Sequence, residues 1–330
     1  MASDIKTLVN ACGAKTGGAR IILRELVRNI PCSGYLVVCP KPEDLRALCP
    51  LAEFLDIETN GLSSLNFTLF GAAKLASAKR CKNIISLMNF NVLSNEFRRF
   101  TYFHQLKAVD GILPKELLQR FLLKRTASPE DLIICQTPYI LSRLQEFAFR
   151  AKLEAHWPGF ENESAVTSRT IANSTNKSRK FHFLVPSSSL APYKNIQSII
   201  DKEQFFNSVR ANVTITGADA VYDIGPIHLM PAVPRSELFD LYAKVDAVIF
   251  PSLLETVALP VFEFLQTGKP VFLLKSPYTL GLFERFNKVK NLHLYEHDLQ
   301  NAISHWISAG CEISEPRSDF SKGDWEWLPR

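Results

Sequence analysis

The chain has 330 residues, of which 46% are hydrophobic and 22% are charged. This composition excludes a largely disordered chain, and the length allows two domains of roughly 150 residues each. No run of about 18 apolar residues occurs, so the sequence predicts no membrane-spanning helix. The seven cysteines are widely spread and lack metal-binding spacing, so we interpret them as reduced thiols of a cytoplasmic protein.

The charge is unevenly distributed along the chain, although the net charge is only +5. Residues 1–150 contain 20 Lys and Arg against 13 Asp and Glu, whereas residues 151–330 have a net charge of −2. A basic first half is typical of proteins with an anionic partner, such as membrane headgroups, a phosphorylated lipid or nucleic acid. An ordinary solvated surface explains the same charge equally well. Because no nucleic-acid-binding motif accompanies it, we do not expect nucleic acid as a partner.

The first 158 residues alternate short apolar runs with helical patterns. A glycine turn at Gly17-Gly18 follows the first run, and apolar residues then recur at helical spacing from Ile21 to Val27. Strands that alternate with helices predict a parallel sheet covered by helices on both faces. The predicted strands of this N-terminal domain are Ile5–Val9, Tyr35–Cys39, Asn83–Leu87, Phe100–Phe103 and Asp131–Cys135.

Residues 159–180 are polar and rich in Asn, Ser and Thr, which indicates a loop near a domain boundary. A second α/β series follows, so we predict a C-terminal domain over residues 181–330, with its last helix as a candidate to return to the N-terminal domain. Its predicted elements are the strands Phe181–Val185, Ala211–Thr216, Ile227–Met230 and Val245–Phe250 and a helix over Ser236–Tyr242. The predicted fold class is therefore α/β with two doubly wound domains.

Two glutamates follow the predicted strand Val245–Phe250. Glu255 stands on the loop that leaves the strand. Pro260 suits the first turn of the next helix and Gly268 suits the position past its end, so Glu263 lies within that helix. Ligands of open α/β sheets bind at the carboxyl ends of the strands, so both carboxylates are candidate ligand contacts. The alternative is that both glutamates are merely solvated.

The start of that helix also suits a phosphate, because the backbone N–H groups of Thr256 and Val257 point toward the same space. Carboxylates accept hydrogen bonds from hydroxyls, and helix N-termini attract phosphate. Together these groups fit a ligand that carries both, and a nucleotide-sugar is such a ligand.

Lys194 stands at another corner between a strand and a helix, after the predicted strand Phe181–Val185. A cation there can neutralise the negative charge that builds on a departing nucleotide diphosphate. A solvated surface lysine is the alternative. No Asp-x-Asp at a strand end and no His/Cys cluster occurs, so we expect neither a metal nor another cofactor.

The run Pro251-Ser-Leu-Leu-Glu255, followed by Glu263 and Gly268-Lys-Pro-Val271, resembles the signature of the group 1 (family 4) retaining glycosyltransferases. The resemblance implies the GT-B fold, in which two Rossmann-like domains face a central cleft. It implies a nucleotide-diphosphate sugar as donor and a glycan or lipid-linked acceptor. It also implies a metal-independent, cytoplasmic hexosyltransferase of cell-surface polysaccharide synthesis, of the lipopolysaccharide or O-antigen type. Peripheral contact with the anionic inner face of the membrane belongs to the same expectation.

Three residues are implied to be catalytic: Glu255, Lys194 and His104. Glu255 is expected to orient hydroxyls of the donor sugar, and Lys194 to stabilise the diphosphate. His104 resembles the family's His that ends a strand of the N-terminal domain and contacts the donor sugar, although a core histidine would show the same pattern.

The remaining expected contacts are with the donor. Glu263 is implied to hold the ribose hydroxyls, with Thr256 and Val257 offering amides to the diphosphate. Gly17 and Gly18 resemble the glycine pair of the family's first βα loop. The list of donor-binding residues is completed by Gly217, which resembles the glycine of a turn after the strand Ala211–Thr216.

Ser189 departs from the family pattern, in which an Arg stands where this chain has the serine and a Lys follows at the position of Lys194. Arg20 and Lys275 are candidates to supply the missing cation. Because this charge is absent, a non-catalytic protein of the same fold, binding a nucleotide-sugar or a partner, is the alternative function.

The segment Asn66–Lys82 is apolar in its first part and basic at its end. We favour a helix packed on the core, whose basic last turn complements the helix dipole. The alternative is an amphipathic helix that lies on a membrane.

Overall fold

The computed structural model describes residues 6–31, 33–147, 150–161, 180–286 and 289–329. The chain divides into two compact units: unit 1 comprises Met1–Glu161 and Lys322–Arg330, and unit 2 comprises Asn162–Ser321. Each contains a largely parallel sheet with helices, which confirms the predicted α/β class. Most of the predicted boundary loop, residues 162–179, lies outside the described residues. No helix in the described ranges is long and apolar enough to cross a membrane.

Unit 1 is built on a parallel sheet in the order β3-β2-β1-β4-β5-β6-β7. Its strands are β1 (Thr7–Asn10), β2 (Tyr35–Cys39), β3 (Glu53–Asp56), β4 (Asn83–Ser86), β5 (Arg98–Phe103), β6 (Leu132–Cys135) and β7 (Lys152–Ala155). Its helices are α1 (Gly17–Asn29), α2 (Glu43–Arg46), α3 (Gly61–Asn66), α4 (Ala72–Ala78), α5 (Lys107–Asp110), α6 (Pro114–Thr126) and α7 (Pro138–Gln145). The strand order reverses between β1 and β4, which is the pattern of a doubly wound sheet.

Unit 2 repeats this plan in the order β10-β11-β9-β8-β12-β13-β14. Its strands are β8 (Phe181–Val185), β9 (Ala211–Thr216), β10 (Tyr222–Ile224), β11 (Ile227–Met230), β12 (Ala247–Phe250), β13 (Val271–Leu274) and β14 (Leu292–Tyr295). Its helices are α8 (Gln197–Ile200), α9 (Glu203–Ser208), α10 (Arg235–Lys244), α11 (Leu259–Leu265) and α12 (Leu299–Ser308). Only the edge strand β10 pairs antiparallel among these described strands.

The sequence predicted the central strands better than the edges. β2, β8, β9 and β11 have the predicted bounds. β2 is an apolar run buried throughout, whereas β9 and β11 alternate buried and partly exposed residues in their first four positions. The edge strands β3, β7, β10 and β14 were not predicted, since polar and partly exposed residues interrupt their patterns. The helix predicted from Ser236 begins one residue earlier, because α10 starts at Arg235, directly after Pro234.

The segment Asn66–Lys82 continues α3 through a π-helical turn (Phe67–Gly71) into α4. Thr68, Ala72 and Ala76 are fully buried, and the two alanines pack with the apolar residues of β1 and β4. These contacts agree with the core-packed interpretation. The π-helical turn was not predictable from the residue pattern. Within it, the Thr68 hydroxyl accepts a hydrogen bond from the side-chain amide of Asn10, at the end of β1, at 3.1 Å.

The last residues of the chain fold into unit 1 as a segment without regular secondary structure. The ring of Trp325 stacks on Tyr102 at a centroid distance of 6.0 Å, and Trp327 lies 6.3 Å from Phe100. The Tyr35 hydroxyl donates a hydrogen bond to the carbonyl of Pro329. The returning segment is therefore part of the core that covers one face of the unit 1 sheet.

Trp327 is expected to contribute strongly to stability, because it is only 8% exposed. Replacement of a buried Trp by Ala typically costs about 3–5 kcal/mol, and we expect Trp327→Ala to lower the free energy of unfolding by that amount in urea titrations. Leu51→Ala is the matched control, since Leu51 is exposed in the same unit and its loss should change little. Equal stability of the two variants would contradict the packing described here.

Candidate functional site

The strand order of unit 2 reverses at β8, which pairs in parallel with β9 on one side and β12 on the other. The loops that leave the carboxyl ends of β8 and β12 therefore start side by side at one edge of the sheet. In open α/β sheets the crevice at such a reversal is the place where ligands bind. Lys194 stands on the first of these loops and Glu255 on the second.

Hydrogen bonds to backbone carbonyls join these loops. The N–H of Leu253 donates to the carbonyl of Tyr193 at 2.8 Å, and the Asn195 side-chain amide donates to the carbonyl of Pro251 at 3.2 Å. Asn195 has a left-handed backbone conformation, with φ of 55°, which asparagine tolerates better than most residues. The backbone thus fixes the position of both loops before any ligand is present.

Lys194 and Glu255 form an ion pair between the two loops, in which the lysine ammonium donates to the Oε1 of the glutamate. Their side chains are only 12% and 18% exposed. The ammonium also lies 5.5 Å from the ring centre of Tyr193 and 6.0 Å from that of Phe250. Neither charge is a freely solvated surface group, and a bound anion would compete with Glu255 for the ammonium.

Glu263 lies in α11 and is nearly fully buried, at 2% exposure. Its Oε1 accepts hydrogen bonds from Arg235, from Nε at 3.1 Å and from Nη2 at 2.8 Å. Its Oε2 lies 3.4 Å from the Tyr242 hydroxyl. Burial, together with the nearby carboxylate, raises the pKa of Tyr242 well above its ordinary value, so the hydroxyl keeps its proton and donates. The Arg235 guanidinium and the Tyr242 hydroxyl thus hold the Glu263 carboxylate in place.

Arg235 and Tyr242 both come from α10, and neither was predicted from the sequence as a contact of Glu263. A basic residue at a helix start and a tyrosine one turn from the end are common surface patterns, so spacing alone gave no signal for the contacts with Glu263.

The second part of the motif, Gly268-Lys269, supports α10. Lys269 is buried, at 4% exposure. Its ammonium donates to three carbonyl oxygens at the end of α10, those of Tyr242, Ala243 and Val245, at 3.0, 3.0 and 2.7 Å. A cation at a helix C-terminus satisfies carbonyls that lack partners within the helix. Lys269 therefore fixes the helix that carries both donors to Glu263.

Gly217 has a packing function in the structure. Its φ is +97°, and a Cβ at this position would lie 2.5 Å from the backbone nitrogen of Ser189. The adjacent Thr216 hydroxyl donates to the carbonyl of Ser187 at 2.7 Å. Gly217 thus lets the loop after β8 pass directly over the end of β9. Contact of Gly217 with a donor stays a prediction.

The two candidate substitutes for the cation missing at Ser189 have other contacts. Arg20 belongs to unit 1, where its guanidinium binds Asp44 and donates to the Pro40 carbonyl at 2.9 Å. Lys275 belongs to unit 2 and pairs with Glu296 at 2.8 Å.

Unit 1 has a pocket of about 540 Å³ at the corresponding reversal, next to the ends of β1, β4 and β5. Gly13, Asn89, His104 and Gln105 are among its lining residues. Gly17 and Gly18, four and five residues after Gly13, are the first residues of α1. The space that an added Cβ would occupy at either glycine is open. Gly17 needs to be glycine because its φ is +63°.

His104 follows β5, as predicted, and its backbone N–H donates to the Asn89 side chain at 2.8 Å. Removal of the ring from water lowers the pKa of His104 to about 4. The imidazole is therefore neutral near pH 7. A neutral ring can accept or donate one hydrogen bond to a sugar hydroxyl, but it supplies no positive charge.

The described structure thus brings Lys194 and Glu255 into direct contact and places Glu263, Gly217, Thr256 and Val257 in the same unit. The other predicted contacts, Gly17, Gly18 and His104, belong to unit 1. The roles of all these residues in binding or catalysis stay predictions.

Solved structures of glycosyltransferases share this fold. HepE from Anabaena, solved with UDP and glucose, is 17% identical with a TM-score of 0.67, and the match covers 93% of this chain and 91% of that one. Sucrose-phosphate synthase from Thermosynechococcus elongatus is 13% identical with a TM-score of 0.66, covering 92% and 90%. WaaG, a glycosyltransferase involved in lipopolysaccharide biosynthesis, is 12% identical with a TM-score of 0.61, covering 93% and 90%.

The chain therefore has the GT-B fold of glycosyltransferases, as the resemblance of its motif implied. Searches with family models and against curated proteins found no match. The assignment to family 4 within this fold stays a prediction.

Ala258, directly before α11, has a left-handed conformation with φ of 53° and ψ of 49°. A side chain in this region is strained, and glycine is not. We expect Ala258→Gly to raise the free energy of unfolding by about 1 kcal/mol. Ala302→Gly within α12 is the control with the opposite sign, because glycine in a helix interior costs about 1 kcal/mol. Destabilisation by both substitutions would show that Ala258 is not strained.

The lowered pKa of His104 predicts a pH effect on stability. Between pH 6.5 and about pH 4 the unfolded chain binds a proton at this imidazole that the folded chain does not bind. The contribution of His104 to stability is therefore complete above pH 6.5 and is lost as the pH falls toward 4. His104→Gln should flatten the measured dependence of unfolding free energy on pH, whereas His182→Gln, at an exposed position, should not. An NMR titration of His104 near pH 6.5 would contradict this prediction.

Proposed function

We propose that the protein is a nucleotide-sugar glycosyltransferase in which unit 2 binds the donor. The observation that carries the proposal is the ion pair between Lys194 and Glu255 at the strand-order reversal of a GT-B unit. The pair combines a cation suited to a diphosphate with an acceptor suited to sugar hydroxyls. The nearby buried carboxylate of Glu263, fixed by two donors, suits the ribose hydroxyls.

Lys194 stabilises the charge on the departing diphosphate in this proposal. When the donor binds, the ammonium exchanges part of its interaction with Glu255 for the phosphate oxygens. Glu255 is then available to accept hydrogen bonds from the donor sugar. The amides of Thr256 and Val257 add donors to the phosphates. Because these groups supply the electrostatic stabilisation, the proposed reaction needs no metal and no further cofactor.

Unit 1 supplies the acceptor side in this proposal. Gly17 and Gly18 let the backbone approach the donor closely, and Gly217 of unit 2 shapes the loop near the donor. His104 contacts the donor sugar as a neutral imidazole. We further propose that the transfer retains the anomeric configuration and that the acceptor is a glycan or a lipid-linked glycan of cell-surface polysaccharide synthesis. WaaG, which shares the fold, acts in lipopolysaccharide biosynthesis.

Donor binding is tested first by thermal denaturation with a panel of nucleotide-sugars. A ligand that binds only the folded protein raises Tm by mass action, and at about one hundred times Kd the gain is about 2.7 kcal/mol. We expect one nucleotide-sugar to shift Tm selectively. Lack of any shift with the whole panel at millimolar concentration would overturn the proposed donor class.

The role of Lys194 is tested by Lys194→Ala. Loss of one preorganised charge-stabilising group typically lowers the rate about 10²–10³-fold, and we expect a loss of kcat in this range. Lys290→Ala is the control, because Lys290 is an exposed lysine of the same unit and has no proposed role in the site. Transfer at the parental rate by Lys194→Ala would remove this residue from the mechanism.

The alternative function is a non-catalytic protein that binds a nucleotide-sugar or a partner through the same site. Ser189 favours it, because the loop after β8 then offers one cation, Lys194, where the resembled family has two. Selective donor binding without hydrolysis or transfer to any acceptor would support this alternative. Introduction of the missing charge by Ser189→Arg distinguishes the two, since a gain of transfer would indicate an otherwise intact catalytic site.

A further inference from the structure

Unit 2 has a pocket of about 510 Å³ at the carboxyl ends of β13 and β14. Leu274 and Tyr295, the last residues of these two strands, pair in register and both line it. Small-molecule sites typically have volumes of roughly 300–1,000 Å³, so the space suits such a ligand. Lys194, Glu255 and Glu263 are not among the described residues that line this cavity, which we call the β13–β14 pocket. It is therefore separate from the proposed donor contacts.

The Tyr295 hydroxyl is a buried polar group without a protein partner. Tyr295 is 6% exposed, and its hydroxyl forms no hydrogen bond with any residue that the structure describes. Removal from water raises the pKa of this hydroxyl, so it keeps its proton at neutral pH and is available as a donor. A buried donor without a partner is costly to the folded protein. An acceptor atom of a ligand in the β13–β14 pocket would satisfy it.

Lys202 brings a positive charge to the same pocket. Its half-buried ammonium donates to the carbonyl of Ser198 at 3.0 Å, and it forms no ion pair within the described ranges of the chain. The second lysine of the pocket, Lys275, pairs with Glu296 at 2.8 Å. Glu296 has the one carboxylate among the described lining residues, so the charge of Lys202 is left unneutralised. An ammonium has three donors, which leaves Lys202 able to bind an anion.

Apolar side chains form much of the remaining wall. Leu253 and Leu280 line the pocket although they are 50% and 60% exposed. Pro277 and Leu299 line it as well, together with Leu274. Ligand pockets commonly combine such an apolar lining with a few polar groups that fix the orientation of the ligand. A cation, a hydroxyl donor and an apolar wall together match an anion that also has an apolar body.

We propose that the β13–β14 pocket binds a small organic anion with an apolar body, such as a phosphate monoester. The Lys202 ammonium and the Tyr295 hydroxyl donate to the anionic group, and the leucine side chains cover the apolar body. Leu253 lies on the loop that carries Glu255, so the ligand contacts this loop without occupying the donor contacts. The proposed site does not depend on the transferase function.

Binding is tested by ligand-observed NMR titration in phosphate-free buffer with three probes. Phenyl phosphate has both the anionic group and the apolar body, inorganic phosphate lacks the body, and benzyl alcohol lacks the charge. We expect the full chain to bind phenyl phosphate with a Kd in about the millimolar range, which is ordinary for a ligand of this size. The other two probes should bind at least about tenfold more weakly. No binding of phenyl phosphate would overturn the proposal.

The variant Lys202→Met removes the charge and keeps an apolar side chain of similar length. It should weaken phenyl phosphate binding at least about tenfold and leave the binding of benzyl alcohol unchanged. Lys290→Met is the matched control, because Lys290 is an exposed lysine of unit 2 that does not line the pocket. Equal affinity of the two variants for phenyl phosphate would overturn the proposal.

Tyr295→Phe separates a binding role of the hydroxyl from a structural one. The substitution removes a buried donor that has no partner, so it should raise the Tm of the ligand-free protein. It should also weaken phenyl phosphate binding about threefold or more, because a hydrogen bond to the anion is lost. A lower Tm together with unchanged binding would assign the hydroxyl to the fold and remove it from the site.

A further comparison separates the β13–β14 pocket from the proposed donor site. Lys194→Ala should keep the parental affinity for phenyl phosphate, because Lys194 does not line the pocket. Loss of binding in Lys194→Ala with full binding in Lys202→Met would place the anion at the donor contacts and overturn the proposal. Phenyl phosphate binding without any nucleotide-sugar binding would overturn the transferase alone. Nucleotide-sugar binding without phenyl phosphate binding would overturn the second site alone.

Discussion

The parallel pairing of β8 with β12 is the constraint on which the candidate site depends. These two strands are distant in sequence but adjacent in the sheet, and their loops leave the same edge. A lysine and a glutamate 61 residues apart therefore meet in an ion pair with little exposure to water. Neither residue reaches the other unless the sheet of unit 2 is complete, so the site is a property of the folded unit and not of either loop.

A second set of contacts holds the Glu263 carboxylate in place. The buried carboxylate requires donors, α10 supplies them through Arg235 and Tyr242, and Lys269 holds the end of that helix. The motif over residues 251–271 thus contains residues of two kinds. Glu255 and Glu263 have acceptor groups suited to a ligand, whereas Lys269 satisfies backbone carbonyls. Folding therefore constrains the spacing of this motif as much as chemistry does, so its presence supports binding more directly than turnover.

The fold was predictable from the sequence because the buried strands of a doubly wound sheet are apolar on both faces and alternate with helices. The positions of Lys194 and Glu255 at the ends of strands followed from the same pattern. The partners of Glu263 were not predictable, since Arg235 reaches it across 28 residues through tertiary packing alone. The strain at Ala258 depends on a backbone angle that spacing does not reveal.

The discontinuity of unit 1 along the chain has a consequence for biosynthesis. Trp325 and Trp327 are synthesised after all of unit 2, yet they fill the core beside Phe100 and Tyr102. The core of unit 1 is therefore complete only after unit 2 has been made. Until then, the apolar face that the two tryptophans cover stays open. A chain that lacks residues 322–330 should consequently contain a complete unit 2 and an incomplete unit 1.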